Sequence, residues 1–338
     1  MSAPTILAWE VTRACTLKCL HCRASSIPDP EPDELTTQEG FSLLDQLARE
    51  GTRMVILSGG DPLLRQDIFD FAQHGSSRGL RMTMATNGSL ITEETASRIL
   101  DSGIVRVSIS LDGVTPEIHD EFRGMPGAFE SALRGIDILS GAGIPFQVNT
   151  TVASMNVREM EHFPDFVRSL GAVAWHVFFL VPTGRGQTLE PATVKQYRDT
   201  LEAFYDVYMH AGIECKATCA PQFYRILAQK GEEVTTRGCL AGTGFGFVSS
   251  RGIVQPCGFL QMNCGSIRVS SFAEIWENSP ILRSLREFGE LKGSCGTCTF
   301  RDVCGGCRAR AYEILNDVME VDPICWFPQE DSIHGRHR

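Results

Sequence analysis

Three cysteines near the start of the chain have the residue type and spacing of metal ligands. Cys15, Cys19 and Cys22 follow an apolar run, residues 5–11, at a C-x3-C-x2-C spacing. Three thiolates on one short loop can hold three irons of a [4Fe–4S] cube and leave the fourth iron open to a small chelating ligand. A structural zinc site needs four ligands instead. Three unrelated buried thiols are the other alternative, but the spacing and the preceding run favour a cluster loop.

A second group of cysteines lies in the last third of the chain, among glycines and short turns. Five of them fall within 31 residues: Cys295, Cys298, Cys304, Cys307 and Cys325. Upstream of these lie Cys219, Cys239, Cys257 and Cys264. A zinc ion on the first four of the group is an alternative to iron–sulfur ligation at these spacings. A segment this irregular needs additional cross-links to be stable, and we expect the cysteines to form them by binding metal.

The bulk composition restricts the classes of function. The chain has 338 residues, 43% hydrophobic and 21% charged, as in a soluble globular protein that buries a core. Its formal net charge of −10 argues against non-specific binding to nucleic acid or to an anionic membrane. We find no secretion signal and no apolar run long enough to span a membrane. Thirteen cysteines in such a chain indicate metal ligands in a reducing cytoplasm, not disulfides.

Short β-like runs alternate with helical patterns over the first two thirds of the chain. The predicted strands are residues 6–11, 54–57, 81–85, 105–111, 146–151 and 174–181. The predicted helices are residues 37–50, 67–78, 92–101, 128–142, 157–170 and 194–210. Six βα units in a row imply a parallel sheet with right-handed crossovers, two units short of a closed eight-stranded barrel. The predicted fold class is therefore α/β, with a partial (β/α)6 barrel.

The character of the sequence changes after the last of these helices. We expect a barrel domain over residues 1–211, a cysteine-rich domain over residues 212–330 and a short tail over residues 331–338. The second domain has only short amphipathic pieces, at residues 221–229, 271–276 and 281–288.

Polar side chains alternate with apolar ones on several predicted strands. They are Glu10 and Thr12 on the first, Ser108, Ser110 and Asp112 on the fourth, and Gln147, Asn149 and Thr151 on the fifth. If the apolar faces meet the outer helices, the polar faces line the interior. An ordinary eight-stranded barrel fills its interior with branched apolar residues, so a polar interior predicts a ligand cavity. Simple two-sided alternation at a sheet edge is the alternative.

A glycine-rich turn ends the second predicted strand. Its sequence is Ser58-Gly59-Gly60-Asp61-Pro62. Glycine lets a backbone approach a ligand closely, and this turn lies at the carboxyl end of the sheet, where α/β proteins bind ligands. A turn before a helix would explain the same residues.

The cysteine loop and the glycine turn together resemble the radical S-adenosylmethionine (SAM) enzymes. In that family the loop carries a [4Fe–4S] cluster, and the backbone of a Gly-Gly-Glu-Pro turn holds the amino group of SAM. Asp61 stands here in place of the glutamate. The residues that this resemblance implies as SAM ligands are Gly59, Gly60, Asp61, Asn87, Ser110, Asp112 and Arg123. Arg123 suits a carboxylate because its planar fork binds one bidentately; a helix-surface ion pair with Asp120 or Glu121 is the alternative.

The later cysteines resemble the SPASM domain, which binds auxiliary [4Fe–4S] clusters in radical SAM maturases. The resemblance implies a crossed ligand pattern. One cluster would take Cys295, Cys298, Cys304 and Cys325. The other would take Cys239, Cys257, Cys307 and a fourth ligand, for which Cys219 is favoured over Cys264. Two gaps between cysteines depart slightly from the family pattern. If neither Cys219 nor Cys264 is the fourth ligand, the second auxiliary cluster has an open iron or is absent, so we expect one or two auxiliary clusters.

Further stretches resemble the heme b synthases of the alternative, siroheme-dependent heme pathway. They are residues 9–15, 21–25, 181–186, 216–221 and 304–312, and the likeness runs through nearly the whole chain. That family converts Fe-coproporphyrin III to heme b by oxidative decarboxylation of two propionates to vinyls. The resemblance implies an oxidoreductase with an iron porphyrin substrate and a low-potential electron donor, such as a ferredoxin or flavodoxin.

A porphyrin with four carboxylates needs cationic partners. Arg185, in a glycine-rich turn after the sixth predicted strand, is the first candidate; Arg23 follows the cysteine loop, and His176 is expected to face the interior. Other functions stay open: radical SAM chemistry on heme d1 or siroheme side chains, peptide maturation by a SPASM enzyme, and a zinc-stapled binding module without catalysis. The last predicts a colourless protein and leaves the cysteine loop unexplained.

Overall fold

The structure is a computed structural model that describes residues 3–327. Its strands join into one sheet of ten in the order β10-β9-β8-β1-β2-β3-β4-β5-β6-β7. They are β1 Ile6–Thr12, β2 Met54–Gly59, β3 Arg81–Thr86, β4 Val107–Ser110, β5 Phe146–Val152, β6 Ala174–Phe179, β7 Glu214–Thr218, β8 Phe245–Val248, β9 Ile253–Gln255 and β10 Gly265–Ser266. Strands β1 to β7 are parallel neighbours, β8 lies parallel to β1, and β9 and β10 follow as antiparallel strands.

Helices connect the parallel strands and cover one face of the sheet. They are α1 Thr37–Arg49, α2 Ile68–Ser77, α3 Glu93–Asp101, α4 Pro116–Arg123, α5 Ala128–Gly141, α6 Phe163–Ser169, α7 Val194–His210, α8 Gln222–Gln229, α9 Phe272–Asn278, α10 Pro280–Ser284, α11 Gly293–Thr297 and α12 Arg308–Leu315. Short 3-10 turns lie at Pro62–Leu64, Val157–Glu159, Gly184–Thr188 and Phe288–Glu290. Within the described residues, no helix is both long and apolar enough to cross a membrane.

The six predicted βα units are present, and the α/β fold class is confirmed. The predicted helix at 157–170 is divided into a 3-10 turn and α6, whose first turn contains Pro164. Proline has no amide hydrogen to donate, so it favours a helix start at this point. Helix α4 is absent from the predicted helices, although the helix-surface alternative for Arg123 assumed one, because it has only eight residues and few apolar ones.

The sheet continues past the expected domain boundary at residue 211. Strand β7 pairs with β6, and β8 pairs with the outer edge of β1. Both strands therefore come from the part of the chain that we assigned to the cysteine-rich domain. The tail expected at residues 331–338 lies outside the described residues.

The two faces of the sheet differ as the alternation predicts. Trp9 on β1 packs against Phe71 of α2 at 4.7 Å between ring centroids, and Trp175 on β6 stacks on Phe163 of α6 at 5.8 Å. These apolar residues face the helices. The residues between them, such as Glu10, face the interior of the open barrel. The polar interior therefore agrees with the sequence pattern.

Helix α1 approaches this sheet closely at Gly40. A methyl group on Gly40 would overlap the rings of Phe71 and Trp9, whereas one on Gly141, in α5, would meet no atom within 4 Å. We expect Gly40→Ala to lower the free energy of unfolding by about 1–3 kcal/mol through overpacking. The matched variant Gly141→Ala should be neutral or stabilise by up to about 1 kcal/mol. Urea unfolding would measure both, and equal effects would contradict this packing.

Candidate active site

The cysteine loop begins at the carboxyl end of β1 and is closed at its base. The amide of Cys15 donates to the carbonyl of Ile27 at 2.8 Å. Inside the loop, the amide of Leu17 points at the sulfur of Cys15 and the amide of Ser26 at the sulfur of Cys22, both at 3.4 Å. Amide donors favour the thiolate form of cysteine, which is the form that binds iron.

The three thiols have different acidities before any metal binds. Burial raises the pKa of Cys15 to about 11 and raises that of Cys19, where Arg123 opposes the effect. Burial alone would also raise the pKa of Cys22, but hydrogen bonds from Ser26 and the nearby arginines lower it overall. Metal binding would therefore have to release protons from Cys15 and Cys19.

The glycine turn is fitted to the base of this loop. The amide of Gly60 donates to Thr12 O at 2.8 Å, and the amide of Asp61 donates to Ala14 O at 2.7 Å. A methyl group on Gly59 would overlap the carbonyl of Thr12, and one on Gly60 would overlap the carbonyl of Ala14. Glycine at both positions thus allows the turn to lie against the protein's own backbone, and the approach to a ligand stays a prediction.

Asp61 is fully buried and ties β2 to β3. Its Oδ1 accepts from the amide of Leu63 at 3.0 Å, and its Oδ2 accepts from Thr86 Oγ1 at 2.7 Å and from the amide of Asn87 at 3.1 Å. Burial raises its pKa, and these hydrogen bonds oppose the rise. Both carboxylate oxygens of Asp61 are therefore engaged by the protein, and the expected contact of this turn with SAM stays a prediction that concerns its backbone. Asn87 does reach the loop, with Nδ2 at 3.9 Å from the sulfur of Cys15.

Arg123 connects the cysteine loop to the end of β4. Its Nη2 lies 2.6 Å from Asp112 Oδ2, and its Nη1 donates to the sulfur of Cys19 at 3.7 Å. Both charged side chains are buried, at 7% and 0% exposure. The surface ion pair with Asp120 or Glu121 is therefore wrong, because α4 turns this guanidinium inward to Asp112.

His21 is a neighbour of this ion pair that the sequence analysis did not single out. Its ring packs on Phe122 at 4.5 Å, and its Nε2 lies 3.7 Å from Asp112 Oδ2. Burial, with a further contribution from Arg123, lowers the pKa of His21 well below its usual value, so the ring is neutral at pH 7. Its position between two of the loop cysteines was the available signal.

Arg185 lies beside the cysteine loop, but its guanidinium is bound to the protein. Its Nε donates to Cys19 O at 2.9 Å, and its Nη1 and Nη2 donate to the O and Oγ of Ser26 at 2.9 and 3.1 Å. Its amide donates to Cys22 O at 3.0 Å. Three nitrogens of Arg185 thus hold the loop, and its assignment to substrate stays a prediction.

The last cysteines divide between two sites. Four of them line one cavity, together with Arg225: Cys295, Cys298, Cys304 and Cys325. Arg225 Nη1 donates to the sulfur of Cys325 at 3.6 Å, and Arg308 Nη2 donates to that of Cys295 at 3.9 Å. Cys307 is absent from this lining, which argues against zinc on four consecutive cysteines.

The second site contains Cys219, Cys239, Cys257 and Cys307. A hydrogen bond between Cys219 and Cys307 raises the pKa of the former and lowers that of the latter to about 7. Burial raises the pKa of Cys257 to about 12, and the charges of Cys239 and Cys307 add to the rise. Cys264 lies elsewhere, near Ser279 and Arg286. The structure thus brings together the cysteines of the crossed pattern. The favoured candidate Cys219, and not its rival Cys264, lies with Cys239, Cys257 and Cys307.

Both thiol groups have an arrangement suited to a cluster. No three His, Cys, Asp or Glu side chains between residues 3 and 327 converge on a point that a single ion would occupy. A [4Fe–4S] cube is instead held at separate corners by four thiolates. Each site offers four cysteine thiols, which is the donor set that such a cube takes.

A buried ion pair holds the second thiol group to the barrel. Arg310 Nη1 lies 3.0 Å from Asp322 Oδ2, which also accepts from the amide of Cys307 at 2.8 Å. Arg310 Nη2 donates to Cys219 O at 2.8 Å. Cys219 has a positive φ of 58°, which is uncommon for a residue other than glycine. Backbone strain of this kind persists where the surroundings fix it, often at functional sites.

The inner face of β4 to β7 carries a row of polar residues. Consecutive register partners in this row are Ser110, Asn149, His176 and Lys216. Gln147 Nε2 lies 2.8 Å from Asn149 Oδ1 and 3.2 Å from His176 Nδ1, and Glu214 Oε1 lies 3.3 Å from His176 Nε2. His176 therefore faces the interior as expected, with both ring nitrogens engaged.

Arg23 also reaches this interior, from the cysteine loop. Its Nη1 lies 3.0 Å from Glu10 Oε2, and its guanidinium lies over the ring of Phe247 at 4.4 Å. Its positive charge is thus balanced by a buried carboxylate.

Known proteins resemble this chain along most of its length. The Radical SAM superfamily profile matches residues 9–170, and the SPASM iron–sulfur cluster-binding domain profile matches residues 239–299. The chain is 47% identical to the AdoMet-dependent heme synthase of Methanosarcina barkeri, over 96% of this chain and 97% of that protein. It is 30% identical to the Fe-coproporphyrin III synthase of the same species, over 96% of this chain and 88% of that protein.

Among solved structures, Streptococcus suis SuiB bound to S-adenosylmethionine superposes with a TM-score of 0.78. The match covers 96% of this chain and 78% of that chain at 18% sequence identity. At this identity the likeness concerns the fold alone, and it agrees with the predicted partial barrel.

The contacts of Arg185 with Cys19 and Ser26 predict that this side chain is needed for the cysteine loop to hold its cluster. We expect Arg185→Ala to lose about four irons per chain, because the N-terminal loop would no longer hold its cluster. Reductive SAM cleavage should fall with the iron. Iron and sulfide analysis after anaerobic reconstitution would measure this loss. The control variant is Arg78→Ala, which removes an exposed arginine at the end of α2, paired with Asp45, and should keep its iron. Full iron content and SAM cleavage in Arg185→Ala would contradict this role.

The two rival cysteines provide a matched pair of variants. Cys219→Ala should lower the iron content by about four and remove one auxiliary signal from the electron paramagnetic resonance (EPR) spectrum. Cys264→Ala should retain both, because its thiol lies outside the group around Cys307. The reverse result would transfer the fourth-ligand assignment to Cys264.

Proposed function

The chain belongs to the radical SAM superfamily, within the group of the AdoMet-dependent heme synthases, and we propose that it decarboxylates Fe-coproporphyrin III to heme b. Two propionate side chains of the porphyrin would become vinyl groups. The observation that carries the proposal is the 47% identity to the Methanosarcina barkeri heme synthase over 96% of this chain. That extent includes the cysteine loop, the inner face of the barrel and the later cysteines.

The proposed reaction conserves atoms and electrons at each propionate side chain. When bound at Cys15, Cys19 and Cys22, the cluster and SAM supply a radical that takes one hydrogen atom from the propionate β-carbon. The bond to the carboxylate carbon breaks, CO2 leaves, and a carbon–carbon double bond forms. One electron remains and needs an acceptor. We propose the site of Cys219, Cys239, Cys257 and Cys307 as the place of that acceptor, since iron–sulfur potentials are tunable over a wide range.

The chain's own residues would position the reactants. Arg123 and Arg185 hold the cysteine loop from two sides, and Gly60 fits it to β2. The carboxyl ends of parallel strands share one edge of a sheet. The cysteine loop after β1 and Cys219 after β7 therefore face the same side of the barrel. A substrate at the interior between them would be near both, shielded from water by the surrounding strands. We also propose a low-potential donor, such as a ferredoxin or flavodoxin, as electron source.

The direct test uses anaerobically reconstituted protein with SAM, a reductant and Fe-coproporphyrin III. We expect heme b, seen by mass spectrometry as the loss of two molecules of CO2 and four hydrogen atoms. Cys19→Ala should form no product, because it removes a ligand of the N-terminal cluster. Cleavage of SAM with the porphyrin left unchanged would overturn the proposal. Turnover of a siroheme-derived tetrapyrrole or of a peptide instead would favour one of the related radical SAM reactions.

Metal analysis tests the number of clusters separately. About twelve irons per chain would agree with three cubes, and about eight would leave one auxiliary site empty. A colourless protein that holds zinc after reconstitution would contradict the proposal that this chain is a radical SAM enzyme.

A further inference from the structure

Lys216 occupies the inner face of the barrel at the middle of β7. It is the register partner of His176, whose ring lies on the interior side. Cys215 and Ala217, on either side of it in sequence, are buried in the apolar core between sheet and helices. Because side chains alternate along a strand, the Lys216 side chain projects into the interior.

The other cations around this interior all have partners. Arg23 pairs with Glu10, Arg123 with Asp112, and Arg185 with oxygens of the cysteine loop. Arg106 Nη1 lies 2.9 Å from Glu214 Oε2. Lys216, by contrast, makes no hydrogen bond and no ion pair with any residue of the described range 3–327.

The carboxylate nearest to Lys216 in sequence is already engaged. Glu214 binds Arg106 through one oxygen and His176 through the other. Moving an ammonium group out of bulk water costs free energy when no hydrogen-bond acceptor replaces the water. Burial lowers the pKa of Lys216, and the charges of Glu214 and Cys219 oppose that effect. Lys216 therefore lies at the end of the polar row nearest to Cys219, where an additional anion would stabilise it.

We propose that Lys216 binds a carboxylate of the tetrapyrrole substrate and positions it between the cysteine loop and Cys219. This inference deepens the proposed function and rests on it, because it assigns a contact to a carboxylate-bearing substrate. The residues that resemble SAM ligands lie on or after β2, β3 and β4, whereas Lys216 lies on β7, on the other side of the open barrel. A substrate anion is therefore the better occupant than SAM.

A different role would give Lys216 the same position. Four thiolates and their iron–sulfur core carry negative charge, and the ammonium group could offset it from a distance. That role predicts an altered auxiliary cluster and unaltered substrate binding, so the two are separable.

The experiment compares two ligands on the reconstituted holoenzyme, without reductant. Fe-coproporphyrin III and its tetramethyl ester have the same ring and metal, but only the former has carboxylates. Their affinities are measured by titration of the Soret band. We expect Lys216→Gln to weaken binding of the acid about tenfold or more and to leave binding of the ester nearly unchanged. Lys216→Arg should retain most of the affinity. Lys195→Gln, at an exposed site on α7, is the matched lysine control.

Three results would overturn the assignment. One is unchanged affinity of Lys216→Gln for the acid. Another is an equal loss for acid and ester, which would indicate a change of shape. The third is an altered auxiliary EPR signal, recorded on a separately reduced sample, with unchanged binding, which would give Lys216 the cluster role. If the wild-type protein binds neither porphyrin, the proposed function is wrong, and so is the contact of Lys216 that rests on it. If the wild-type protein binds and turns over the acid, the proposed function stands, and the variants alone decide the role of Lys216.

Discussion

The cysteine loop depends on the backbone contact between Ala14 and the turn of Gly59, Gly60 and Asp61. The loop has no regular secondary structure, so its own hydrogen bonds cannot fix three sulfurs in space. The turn supplies a rigid edge, because only glycine permits the approach to the carbonyls of Thr12 and Ala14. Arg123 and Arg185 then hold the loop from the sides of β4 and β6. A ligand site on a loop without regular secondary structure acquires its geometry from the rigid elements of the sheet.

The second half of the chain depends on a buried ion pair in a comparable way. Asp322 accepts from Arg310, from the amide of Cys307 and from Gln222, which in turn accepts from Tyr197 of α7. Removal of one partner from such a pair leaves an uncompensated charge, typically at a cost of about 3–5 kcal/mol. The pair therefore fixes the auxiliary thiols relative to the barrel more firmly than the short helices around them could.

The cysteine spacing predicted the loop, the succession of strand and helix patterns predicted the six βα units, and the alternation along the strands predicted the polar interior. These features could be predicted because each is local in sequence. The partners of Arg185 could not be predicted in this way. Its contacts with Cys19 and Ser26 join residues more than 150 positions apart, and the residue type alone suits a substrate carboxylate equally well. Asp61 shows the same limit, since two of its three donors, Thr86 and the amide of Asn87, lie at the end of the next strand and not in the turn itself. The crossed cysteine pattern came from family resemblance, and spacing alone left zinc open.

The pairing of β8 with β1 has a consequence for how the protein is made. Residue 6 lies in register with residue 245, so the outer edge of the first strand stays uncovered on the ribosome until most of the chain has emerged. An uncovered strand edge is a template for association with other chains. Contacts this distant in sequence also close slowly. Biosynthesis of this protein thus includes an interval in which the outer edge of β1 is open to other chains, and that interval ends when β8 has emerged and paired with it.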